Sequence, residues 1–172
     1  MRKRTFKAVL STSSLKQLSD DLKSYRDDMN RKTDEFFQRL ADVGIKVIDE
    51  RISQADGQSD TGHYTTFKVN SFGDATVGTL SVYGKDLLFI EFGSGIHYNG
   101  AVGNSPHPKG MEYGYTIGSY GNGNGANDFW YYPVGDGTYK RSYGTKATMP
   151  VYMAGNEMLD KVVKIAKEVF GG

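Results

Sequence analysis

From Ser14 to Ile52 the chain carries no proline and one glycine, Gly44, and this uninterrupted stretch constrains everything else. Leu15, Leu18, Leu22, Tyr25 and Met29 step by three and four, the spacing that lines up one face of an α-helix. Beyond them the step slips: Phe36 is followed by Leu40, Val43, Val47 and Ile48, the pattern of an inserted four-residue stutter. Asp27 with Arg31 and Asp28 with Lys32 place opposite charges four residues apart on another face. The pattern predicts one helix over residues 14–52, capped by Ser13 or Ser14. At the α-helical rise it spans about 55–60 Å, longer than a small domain is wide. Its N-terminal half is therefore expected to protrude, with the seam Leu15, Leu18, Leu22, Tyr25 and Met29 covered by a partner subunit.

The 172 residues suffice for one domain and its core, without help from metal or disulfide. With no cysteine, disulfides, thiolate zinc sites and cysteine nucleophiles are excluded. Lys and Arg total 21 against 20 Asp and Glu, so no general affinity for nucleic acid is expected. Basic charge concentrates only at the start, in Arg2, Lys3, Arg4 and Lys7, and residues 1–13 read as a flexible basic terminus. No apolar stretch follows that start, so no secretory signal is expected. The longest apolar run, Leu87–Ile90, is far short of the roughly 20 residues that cross a membrane.

After a loop over Gln54–Gly62 the periodicity changes to two. His63–Asn70, Ala75–Tyr83 and Asp86–Phe92 read as three antiparallel strands of a meander over 63–92. Residues 93–146 hold much of the chain's glycine and tyrosine. Within them, Phe129–Tyr132 and Tyr139–Tyr143 suit a further hairpin around Pro133–Gly137. The aromatics Tyr113, Tyr115, Tyr120, Trp130, Tyr131 and Tyr132 suit a docking surface, since such side chains offer large contact area at low entropic cost. Their alternative is a small private core over the sheet. Pro150 then opens a C-terminal helix over 150–170 with a wide apolar face. The fold class expected is α+β: a long N-terminal helix, an antiparallel meander with a Gly/Tyr-rich insertion, and a closing helix on the sheet.

Few patterns in the chain point to chemistry. Gly121–Ala126 matches a relaxed GxGxxA pattern but follows no strand and opens no helix, as phosphate binding requires. Ser105 and His107 are separated by Pro106, which prevents a nucleophile elbow. His63, His97 and His107, with Asp86 or Glu91, lack the spacing of a metal site, and Asp56–Asp60 lacks the closing Glu of a calcium loop. No catalytic residue, metal or cofactor is expected. Two other readings stay open: a small hydrolase using Glu91, Asp86 and a histidine, or a carbohydrate-binding module using Trp130 and its neighbouring tyrosines. One motif stands out, Leu88–Gly95, an apolar segment with a single carboxylate running into Gly93-Ser94-Gly95. Glu91 is expected either to accept amide hydrogen bonds from that turn or to face solvent.

Ile90-Glu91-Phe92-Gly93-Ser94-Gly95-Ile96-His97-Tyr98 resembles a signature of the tail-component family of long-tailed bacteriophages, the small head-to-tail joining and tail-completion proteins often labelled minor capsid proteins. Ala147–Ala154, with Pro150 at its centre, resembles that family's second segment. The layout of residues 10–170 is similar, although residues 99–146 are longer and richer in Gly, Asn and Tyr. The resemblance implies a virion protein with no catalytic residues. It would form a ring of copies, six by family implication, at the neck or top of the tail. Its further partners would be head-completion or connector proteins and the tail terminator or tail tube protein. DNA would pass through the channel without specific binding, and assembly would occur in the host cytoplasm, with no membrane involved.

Overall fold

Ser11 decides where the long helix begins. Its backbone is extended, and its Oγ accepts the Ser14 N–H at 3.3 Å, which caps α1, Thr12–Ser53. In the computed structural model, which describes residues 5–55, 62–73, 75–94, 105–114 and 129–171, α1 passes through Gly44 without a break. Asp28 takes both Arg31 and Lys32, while Asp27 takes the adjacent Arg26 instead of Arg31. Those cations, the Arg31 hydrogen bond foremost, hold the Asp28 carboxyl below the usual carboxylate range.

The remaining elements are β1, Tyr64–Phe72; β2, Ala75–Tyr83; α2, Leu87–Phe92; β3, Trp130–Pro133; β4, Tyr139–Ser142; and α3, Pro150–Phe170. The architecture is α+β, as the sequence pattern predicts. β1 pairs antiparallel with β2, from Tyr64 opposite Tyr83 to Phe72 opposite Ala75. β3 pairs antiparallel with β4, with Tyr131 opposite Arg141 and Pro133 opposite Tyr139.

The third strand of the expected meander is a correction: residues 87–92 are helical. A short apolar run fits strand and buried helix equally by periodicity. Here the helix wins because positions i, i+3 and i+4 bring Leu87, Ile90 and Glu91 to one face. Leu87 and Ile90 join the core, and Glu91 is buried beside it.

α3 runs antiparallel along the C-terminal part of α1. Ala154 meets Ile48 and Ile52 at one end, while Ile165 and Val169 meet Leu40 at the other. Phe170 closes the row against Phe36, at a ring separation of 5.8 Å, and Arg39 bridges to Glu168. β2 crosses α1 by reciprocal insertion. A Cβ on Gly44 would come within 2.6 Å of the Leu80 side chain, and one on Gly78 within 2.6 Å of the Phe37 ring, so a side chain at either crossing makes its neighbours shift. His63 ties the start of the hairpin to Asp49 at 2.8 Å.

α3 therefore stops opposite Phe36, and the α1 residues 12–35 continue for about 35 Å beyond it. Every buried residue of α1 lies from Leu40 onward. Along the overhang, Leu15 and Leu22 remain 49% and 47% exposed. Residues before the helix run back beside it, with Phe6 edge-on to Tyr25 at 5.8 Å.

This division predicts unequal costs of truncation, checked by urea unfolding. Ile48→Ala should lose about 2–5 kcal/mol by leaving a core cavity, and Gly44→Ala about 1–3 kcal/mol by overpacking. Leu22→Ala in the monomer should stay within about 0.5 kcal/mol.

Candidate functional site

Met149 cannot cap the helix it precedes. It occupies the left-handed region at φ 54°, and its side chain makes no capping bond. Pro150, fully buried, takes the first helical position, where its missing N–H is no loss. The next two amides still need an acceptor, and Glu91 supplies it from α2. Val151 N–H donates to Oε2 at 2.8 Å, and Tyr152 N–H donates to Oε1 at 2.9 Å. A carboxylate there also meets the positive end of the helix dipole. Glu91 is thus a tertiary N-cap, 7% exposed. It accepts amide bonds, as one sequence expectation had it, but from α3, while the Gly93 and Ser94 amides donate to the Phe89 and Thr145 carbonyls.

His107 completes the arrangement. Lys109 N–H donates to its Nδ1 at 3.0 Å, which leaves the ring proton on Nε2, facing Glu91 Oε1 at 3.1 Å. Its ring lies between Phe92, at 4.6 Å, and Tyr152, at 5.0 Å. Ser105 Oγ donates to the Phe92 carbonyl and accepts from the His107 N–H, so the Ser-Pro-His turn is bound to the end of α2.

The glycine turn after α2 joins the same unit. Gly93 has φ 77°, and a Cβ there would lie 3.2 Å from the Cβ of Ala147. Ser94 and Thr145 exchange backbone bonds at 2.8 and 3.2 Å, and Ser94 Oγ accepts the Thr145 N–H at 2.9 Å. The Ile90 carbonyl accepts from Thr148 and Met149. The segments 90–94 and 145–152, which carry the two motifs singled out in the sequence, are therefore bonded together. Gly95 and His97 lie outside the described residues.

The other sequence candidates are dispersed. Asp86 is exposed at the start of α2, held at φ 60°, and Glu91 is turned inward, so the suggested carboxylate pair does not share a site. His63 belongs to the Asp49 contact. Among the described residues no His, Asp and Glu cluster has the makings of a metal site. Tyr113 is exposed and edge-on to Phe92 at 6.0 Å, and Tyr131 and Tyr132 are exposed on β3. Trp130 contributes its backbone to β3, while Tyr115 and Tyr120 lie outside the described residues. In the seam, Leu15 and Leu22 are exposed and Leu18, Tyr25 and Met29 half-buried.

Beside Glu91 opens a cleft of about 600 Å³, with Phe92 and His107 against walls from Leu88, Val151, Tyr152 and Leu159. Both oxygens of Glu91 are already engaged and the rest of that lining is largely apolar. The arrangement holds backbone in place. From the sequence, His107 reads as a metal ligand, a general base or an ordinary hydrogen-bonded histidine, and the structure shows the last. The Ser-Pro-His-Pro turn, which locks its own backbone, was the available signal for a positioning role.

No protein family, no curated protein and no solved structure matches the chain. None of the helices among the described residues is long and apolar enough to cross a membrane.

The cap makes a graded prediction for equilibrium unfolding. Glu91→Ala strands two amides and the imidazole N–H, at about 1–3 kcal/mol for each unsatisfied donor. Glu91→Gln, which keeps one good acceptor, should fall between Ala and wild type. Equal stability of all three proteins would remove the cap from the account.

Proposed function

We propose that this chain is a structural virion protein of a tailed bacteriophage, a subunit that joins copies of itself into a ring at the neck or top of the tail. In that place it would link the head connector to the tail tube, with head-completion proteins on one side and the tail terminator or tube protein on the other. The observation that carries the reading is the overhang of α1. It projects about 35 Å past α3 with Leu15 and Leu22 half in water, and an isolated chain gains nothing from an apolar seam held there. A neighbouring copy would bury it.

Two further observations support the same reading. The segments with the phage tail-component resemblance, around Glu91 and Pro150, form one bonded unit. That unit gives the resemblance a common structural role for its Glu, its glycine and its Pro. The near balance of charge, 21 basic against 20 acidic residues, suits a channel wall that lets DNA slide. On this reading the protein is not an enzyme. The engagement of both Glu91 oxygens speaks against the hydrolase alternative.

The test is assembly. In sedimentation velocity, wild type should reach a closed oligomer. Leu18→Asp combined with Leu22→Asp should remain a monomer with unchanged helical circular dichroism. If the double variant unfolds, the seam belongs to the monomer's own core. Turnover of a hydrolase substrate, lost in Glu91→Gln with the fold intact, would overturn the structural reading.

A further inference from the structure

A closed ring needs two different surfaces on each subunit, because each copy gives one face and receives another. The α1 overhang supplies one. Along it lies a groove of about 390 Å³ whose apolar lining is Leu15, Leu18 and Leu22 and whose polar edge is Ser19, Lys23 and Arg26. The second surface must be apolar, elongated and accessible in the folded subunit.

The outer side of α3 meets those conditions. Its inner side, Ala154, Ile165 and Val169, is buried on α1. Val151, Gly155, Leu159 and Val163 form a row at four-residue steps, the ridge by which helices interlock. Leu159 and Val163 are 71% and 60% exposed. Within the row, the Cβ position of Gly155 has no atom within 4 Å, which leaves a dent where another helix can approach closely.

From these two surfaces we infer that the neighbouring subunit's α3, through Val151, Leu159 and Val163, is the occupant of the α1 groove. The inference rests on the ring reading above and adds the surface that receives the seam. Continuity favours it. α1 already packs against an α3 helix from Phe36 to Ile52, and Met29, where the seam back through Tyr25 and Leu22 to Leu15 ends, lies seven residues or about two turns before Phe36 and so on the same side of the helix. The same helix face would thus be covered first by its own α3 and then by that of the neighbour.

The absence of cysteine from the native chain makes a direct test possible. Two single-cysteine proteins, L22C and L159C, are each purified, mixed, allowed to exchange and oxidised gently. The expected result is a disulfide-linked L22C–L159C dimer as the main product, abolished by L18D in the L22C partner. The unmutated chain should be oligomeric by light scattering under the same conditions. L22C linked mainly to itself, with oligomers present, would overturn the inference, since the seam would then pair with its own copy while the ring reading stood. Oligomers that form without either link would overturn it too, placing another surface on the seam. A strictly monomeric unmutated chain would overturn the ring reading itself, and this inference with it. Leu159→Asp, at a site exposed in the monomer, should leave unfolding in urea unchanged and lower the oligomer fraction at least about tenfold, which corresponds to 1.4 kcal/mol.

Discussion

The two hydrogen bonds from the first turn of α3 to Glu91 hold this molecule's chemistry of folding together. A helix N-terminus leaves amides unpaired, and here the residue that should cap it is a methionine in a left-handed conformation. A left-handed L-residue costs about 1–2 kcal/mol, so the geometry persists only where something else demands it. The demand is to set Pro150 into the core while Met149 N–H reaches the Ile90 carbonyl. Glu91 answers the open amides and, through His107, fixes the turn at Ser105–Lys109 as well. Among the described residues, Asp86 and Met149 are the only non-glycine positions with positive φ. They begin the two elements that Glu91 joins, so the strain is gathered at the clamp.

With α3 fixed in this way, its inner face is committed to the C-terminal part of α1, and among the described residues the rest of that helix buries no side chain. The core is built from Leu40, Ile48, Ile52, Ile90, Ala154, Ile165 and Val169. None of these lies on the overhang. The molecule divides into a clamped body and an arm whose apolar seam is stable in water only because its helix is anchored at one end. That division makes the arm the surface we propose for assembly, and Glu91 serves the fold as the acceptor for the first amides of α3.

Much of this was legible in the sequence for physical reasons. A proline-free stretch with three-and-four stepping has essentially one solution, and α1 departs from the expected bounds by a residue or two. Pro150 marked the first turn of α3 because its fixed φ and missing N–H suit that place. The β1–β2 and β3–β4 hairpins followed from alternation and turn residues. The run Leu87–Phe92 was not legible: six residues are too few for period to separate strand from helix, and the deciding contacts come from Ile48 and Val151, far away in the chain. The partner of Glu91 was hidden for the same reason. Nothing local reveals that a carboxylate will cap a helix sixty residues downstream, unless the defective cap at Met149 is noticed first.

Residue-resolved hydrogen exchange on the dilute monomer tests the division most directly. The account predicts that the amides of Val151, Tyr152 and Ile48 exchange only through global unfolding. Amides of residues 15–30 should exchange at least about a hundredfold faster, through local opening of the unsupported arm. Uniform protection along the whole of α1 in the monomer would contradict it, because the seam would then already be covered by the chain's own residues.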